Sequence, residues 1–198
     1  MAVGVLGGTF DPVHKGHLII AQEAALELGL EMVHFIPAGE PPLKDHEVTP
    51  AHHRLQMLRL ALAGDKGFRL STLELERPGL SYTVDTLLEL RRTDPRELYL
   101  ILGKDAVAGL LRWHRPKELV SLCYIAAVPR PGVLEPDVAA LEDALPGLRE
   151  RLRLLSGPNI GISASEIRQR VARGLPVRYL LPAGVDGYIR EHGLYRER

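Results

Sequence analysis

The sequence predicts an α/β fold, a doubly wound, mostly parallel sheet with helices on both faces and a small helical extension at the C-terminus. Three observations carry this. Short apolar runs alternate with segments whose apolar residues recur at helical spacing. That alternation of strand and helix implies right-handed crossovers and a sheet covered on both sides. The first apolar run ends in a Gly-Gly turn that leads straight into a helix. The 198 residues fit one domain spanning 1–198, with about 156–198 packed back on the core, and they are enough to bury a core without disulfide or metal support.

In chain order, Ala2 to Leu6 reads as a buried strand, and Leu18 onward continues at helical spacing as far as Leu28. Met32 to Ile36 is a second strand. Pro37 to Pro50, rich in proline and charge, is a loop, after which Leu55, Leu58 and Leu62 mark a helix over Ala51 to Ala63. A third strand is expected near Phe68 to Leu75, a helix near Val84 to Arg91 and a fourth strand at Leu98 to Leu102. Helices near Asp105 to Leu111 and Pro116 to Leu122 precede a fifth strand, Tyr124 to Val128. The tail changes rhythm: a turn-rich link from Pro129 to Pro136, a short helix over Val138 to Leu145, a last strand at Arg151 to Leu155, then helices over Ser163 to Val171 and Pro182 to His192. In open sheets of this kind, ligands sit beyond the carboxyl ends of the strands where the strand order reverses. The loops after strands one, two and four, which are Gly7 to Lys15, Pro37 to Lys44 and Gly103 to Asp105, are therefore expected to converge.

Composition narrows the partners. Lys plus Arg and Asp plus Glu number 25 each and the pI is about 7.1, so no overall field exists to hold nucleic acid or an anionic membrane. Any anionic ligand must be gripped by local charge. Cys123, the single cysteine, lies inside an apolar run with no histidine close in sequence, which makes it a buried small hydrophobe rather than a nucleophile. No apolar run approaches the roughly 18 residues of a membrane span and no charged leader precedes the first strand, so a cytoplasmic protein is expected. Association with further copies of itself stays open.

The stretch richest in chemistry is Gly7 to His17, G-G-T-F-D-P-V-H-K-G-H. Strand, glycine turn and helix start in that order turn backbone N–H groups and the positive end of a helix dipole outward, where phosphate is the natural guest. Gly7 and Gly8 put no side chain between backbone and ligand and can take positive φ where the turn needs it. Asp11-Pro12 bars an earlier helix start. His14 and His17, three apart, can lie on one face of the first helical turn and offer two imidazole donors to a bound phosphate. This stretch resembles the signature of the nucleotidyltransferase superfamily whose hallmark is H-x-G-H, and a histidine at position 14 is similar to its nicotinate mononucleotide adenylyltransferase branch.

Other stretches extend the resemblance from Gly7 to Tyr195. Ile162 to Arg168, I-S-A-S-E-I-R, has the Ser163 and Glu166 spacing of a capping box, and it is similar to the family element that grips the ATP triphosphate, with Ser165 standing where threonine is commoner. Ser81 to Leu87, S-Y-T-V-D-T-L, reads locally as a polar helix start; the resemblance puts Tyr82 and Thr83 beside the pyridine nucleotide. Gly103-Lys104-Asp105 followed by Leu110 and Trp113 resembles the branch's G-x-D…L-x-x-W, which implies that Trp113 stacks on the nicotinate ring and Asp105 meets the ribose or other polar groups of the substrates. Pro41-Pro42-Leu43-Lys44 is similar to P-P-H-K with leucine in place of histidine, leaving Lys44 as a mobile charge for phosphate. His46, His52 and His53 lack the spacing of a metal site.

The resemblance implies a Rossmann-like enzyme that adenylylates nicotinate mononucleotide with ATP, giving deamido-NAD and pyrophosphate. It implies His14, His17 and Arg168 as the catalytic set. ATP would meet Gly7, Gly8, Thr9, Phe10, both histidines, Gly103, Asp105, Ser163, Ser165 and Arg168, while Lys44, Tyr82, Thr83, Asp105 and Trp113 would hold the mononucleotide. Mg²⁺ would be carried by ATP, with no protein metal site. The rivals are an enzyme preferring nicotinamide mononucleotide, a phosphopantetheine adenylyltransferase, which usually has threonine where His14 stands, and a non-catalytic nucleotide sensor. A dinucleotide-binding module is disfavoured because Leu6 and Thr9 break G-x-G-x-x-G spacing after Gly4. A class I aminoacyl-tRNA synthetase is disfavoured by length and charge.

Overall fold

A computed structural model of the chain describes residues 1–42 and 48–196. Six strands form one sheet: β1 (Ala2–Gly8), β2 (Met32–Pro37), β3 (Phe68–Leu70), β4 (Glu97–Gly103), β5 (Tyr124–Val128) and β6 (Leu152–Leu154), in the order β3-β2-β1-β4-β5-β6. Every pairing is parallel, with Val5 beside His34 on one flank and Leu100 on the other. The sheet is thus wholly rather than mostly parallel, and its order reverses between β1 and β4.

Strand alternation feeds two cores. On one face Leu98, Leu100, Ile125 and Ala127 pack with Val84 and Leu87 of helix α4 (Thr83–Thr93) and Leu119 of α6 (Pro116–Leu122). On the other, Phe35, Ile101 and Ala126 meet Ala21 and Ala24 of α1 (Lys15–Leu28), Met57 and Leu58 of α2 (Ala51–Leu62), Ile167 of α9 (Ala164–Ala172) and Ile189 of α10 (Val185–Glu191). Strands buried on both faces read as continuous apolar runs. That is why five of the six could be placed from sequence to within two residues.

Two expectations need correction. The third strand ends at Leu70, and the single turn α3 (Leu73–Glu76) follows where strand was expected. Leu-Glu-Leu-Glu alternates like a half-buried strand, yet here Glu74 is buried and accepts a hydrogen bond from Thr86 Oγ1 at 2.6 Å. The expected last strand is shorter by a residue at each end because a helical turn, α8 (Leu148–Arg151), occupies its start. The remaining short helices are α5 (Lys104–Ala108), with a 3-10 turn after it at Leu110–Arg112, and α7 (Val138–Ala144). Among the described residues no helix is long and apolar enough to cross a membrane.

Candidate active site

The order reversal leaves the carboxyl ends of β1 and β4 side by side, where clefts bring together the glycine turn, His14, His17, Tyr82, Thr83, Gly103, Asp105 and Trp113, while Phe10, Ser163, Ser165 and Arg168 line neither. Gly7 and Gly8 belong to the strand end. The left-handed position in the turn is Phe10, at φ 50°. Phe10 is 2 % exposed and meets the His17 ring edge-on at 4.9 Å, so it supports that ring from within the core. A Cβ on Gly7 would meet no protein atom within 4 Å. Packing therefore does not demand a glycine there; space beside the backbone is what the position offers.

Helix α1 begins at Lys15, directly after His14 in extended conformation. The two histidine rings stack with centroids 3.7 Å apart, on one face as their spacing predicts. Gly16 permits this, since a Cβ there would stand 2.9 Å from His14 Nδ1. The backbone N–H of His14 donates to His17 Nδ1 at 3.1 Å, so the neutral His17 ring carries its proton on Nε2. Burial, then the positive charge of Arg130, lowers the His14 pKa to about 4; burial, then His14 and Arg130, hold His17 well below its usual range. Both rings enter the site as neutral imidazoles, and an arriving anion would favour their charged forms.

This has a consequence for stability. The folded chain keeps His14 neutral down to about pH 4, whereas the unfolded chain takes up that proton near 6.5, so the unfolded state binds more protons between these values. Stability is therefore expected to fall as pH drops through that window, by on the order of 3 kcal/mol from this group, and to lose nothing further from it below about 4. Denaturant titrations from neutral pH to pH 4 should show the wild type declining more steeply than His14→Gln; parallel curves would mean that His14 is not held neutral.

Two clefts open on either side of β1. The first, about 250 Å³, is lined by Gly7, Thr9, Tyr82, Thr83, Trp113 and His114, among others; the second, about 260 Å³, by Gly7, His14, His17, Asp105, Trp113 and Arg130, among others. Gly7, Leu102 and Trp113 wall both. The expected convergence of the loops after β1, β2 and β4 is met, with Pro41 and Pro42 in the first cleft and Gly103 in the second. A larger hollow of about 1150 Å³ lies among Lys15, Arg178 and Arg190, and its lining includes none of the predicted site residues.

Arg168 reaches the turn from α9, donating to the Asp11 carbonyl at 2.7 Å and to Ser165 Oγ at 3.3 Å. Ser163 caps α9 by accepting from the Glu166 N–H at 3.1 Å, which is the local reading of its motif. Asp105 pairs with Arg130 at 2.8 Å. Tyr82 stacks on His114 at 4.1 Å. Lys44, Leu43 and His46 lie outside the described residues.

Sequence reasoning missed Arg54, Arg130, Arg112 and His114. Arg54, 1 % exposed, donates to the carbonyls of Thr9, Ala38, Gly39 and Thr49 at 2.7–3.3 Å and so ties the loop after β1 to the loop after β2. Arg130 stands between two prolines just past β5, at the strand end where the sheet rule places ligand-facing residues. Among the described residues no group of three or more His, Cys, Asp or Glu could hold a metal ion. The two acidic side chains at the turn and the second cleft are already engaged, Asp11 by Thr49 N–H and Tyr195 O–H and Asp105 by Arg130.

Comparison with known proteins identifies the family and the fold. The cytidylyltransferase-like family profile matches residues 5–170. A probable nicotinate-nucleotide adenylyltransferase of Dehalococcoides mccartyi is 46 % identical over 201 residues, covering 100 % of this chain and 98 % of its own. One of the same name from Roseiflexus sp. is 49 % identical over 195 residues, covering 98 % of each. In fold, the chain resembles the Plasmodium falciparum nicotinic acid mononucleotide adenylyltransferase solved with NaAD, with a TM-score of 0.80 at 20 % identity, over 98 % of this chain and 97 % of that one.

Proposed function

Because the chain belongs to the cytidylyltransferase-like family, among its nicotinate-nucleotide adenylyltransferases, we propose that it transfers the adenylyl group of ATP to nicotinate mononucleotide, giving deamido-NAD and pyrophosphate. The observation that carries this reading is the pair of clefts sharing one wall at the end of β1, with the histidine pair in one and the Tyr82, Thr83 and Trp113 group in the other. Two nucleotides laid in them would meet at Gly7.

In this reading the chain works as one domain on two small molecules, without nucleic acid. A phosphate oxygen of the mononucleotide attacks the α-phosphorus of ATP in line; the new P–O bond forms as the bond to pyrophosphate breaks. Positioning and electrostatics supply the catalysis, with no covalent enzyme intermediate. His14 and His17 donate to the α-phosphate as its charge builds. Arg168, Ser163 and Ser165 hold the triphosphate, Gly7, Gly8 and Thr9 let it approach the backbone, and Gly103 and Asp105 meet ribose. Trp113 stacks on the pyridine ring, Tyr82 and Thr83 orient it, and Lys44 meets the mononucleotide phosphate. Mg²⁺ held by the ATP phosphates would, when bound, offset the charge of the leaving pyrophosphate.

Pyrophosphate release from Mg·ATP, measured with nicotinate mononucleotide, nicotinamide mononucleotide and phosphopantetheine in turn, tests the reading. The nicotinate form is expected to drive release most strongly. Release mainly with the amide would revise the ring pocket, release with phosphopantetheine alone would overturn the branch, and release with none would overturn the enzyme.

A further inference from the structure

The Tyr195 hydroxyl donates to Asp11 Oδ1 at 2.7 Å, across 184 residues of sequence. The other Asp11 carboxylate oxygen accepts from the Thr49 N–H at 3.2 Å, and the Asp11 carbonyl accepts from Arg168 at 2.7 Å. Asp11 is 4 % exposed, so its carboxylate depends on these donors in place of water. Tyr195 itself holds φ at 63°, a left-handed backbone that an aromatic residue adopts only under external constraint. One residue before Asp11 stands Phe10, also left-handed and packed on His17. A single residue thus joins four parts of the chain: its carboxylate takes the C-terminal segment and the loop before α2, and its backbone, in the turn beneath His17, takes the arginine from α9.

From this juxtaposition, and resting on the function proposed above, we infer that Tyr195 is a positioning residue for adenylyl transfer: through Asp11 it fixes the relation between the His17 turn and Arg168. The physical reason is competition for donors. Without the hydroxyl, Asp11 Oδ1 must find another, and Arg168, already on the carbonyl of the same residue, is the cation at hand to swing onto it. Arg54 is committed to four carbonyls. A swing of Arg168 would withdraw it from the triphosphate while leaving the pyridine cleft across β1 as it was. Burial and the charge of Asp11 raise the Tyr195 pKa above the ordinary phenol range, which keeps the hydroxyl a donor.

Tyr195→Phe keeps the ring and its packing and removes only the donor. Steady-state kinetics with Mg·ATP and nicotinate mononucleotide should show kcat lower by about 10- to 100-fold, KM for the mononucleotide within about twofold, and a thermal midpoint above the assay temperature. Asp11→Asn, which keeps the carbonyl that Arg168 grips, should give the same split. In an Arg168→Ala background Tyr195→Phe should cost little more, because the group it positions is gone. Unchanged kcat, a full further loss in that background, or a loss explained by unfolding at the assay temperature in both variants would overturn the inference. Wild type inactive with every acceptor would overturn the proposed function instead.

Discussion

Replacing His17 by alanine should lower turnover by about 10²–10³-fold, the usual effect of deleting one donor aimed at developing charge, while ATP binding changes little. The expectation follows from the tautomer. With Nδ1 engaged by the His14 N–H, the ring presents Nε2–H, a donor that strengthens as charge accumulates on the α-phosphate. His17 also leans on Phe10 and His14, so deletion loosens the stack without opening a large apolar cavity. Single-turnover rates alongside calorimetric ATP binding separate the two effects. Comparable turnover in the mutant would remove His17 from the mechanism.

The second large effect is expected at Arg54. Methionine there fills much of the same volume but strands the carbonyls of Thr9, Ala38, Gly39 and Thr49, of whose bonds to Arg54 that of Ala38 is buried and the other three are partly so. At about 1–3 kcal/mol for each unsatisfied buried group, and with partial relaxation, a loss of about 3–5 kcal/mol is reasonable. For a chain of this size that corresponds to a thermal midpoint lower by about 10 °C. Arg54→Lys keeps the charge and lacks the fork, so it should recover only part of the loss. Because Thr9 and Ala38 line the first cleft, KM for the mononucleotide should rise in both variants. A midpoint within a degree of wild type would show that the carbonyls find other donors.

What could be read from the sequence was whatever depends on neighbours in the chain. The histidine pair sits within four residues, its glycine between them, and helical geometry does the rest. The buried parallel strands announce themselves because both faces are apolar. Arg54 gave no such sign: its acceptors are backbone oxygens up to 45 residues away, and an arginine within a helix of mixed polarity looks solvated. Glu74 misled for a related reason, since alternation with leucine suggests a strand and only the distant Thr86 explains its burial. The left-handed turn residue is Phe10, where steric argument favours the adjacent glycines; the packing of its ring between His17 and Phe35 holds it there.

The bond between Asp11 and Tyr195 also sets a timetable. On a ribosome adding about 5–20 residues per second, Asp11 is made some 10–40 s before its partner. For that interval the earlier strands and helices can assemble while the carboxylate at the future centre still faces water. Maturation of the turn beneath His17 is thus a late event in the life of each new chain, coming after the rest of the fold has been available to collapse. Until Tyr195 emerges, that oxygen of Asp11 has no donor from the C-terminal segment.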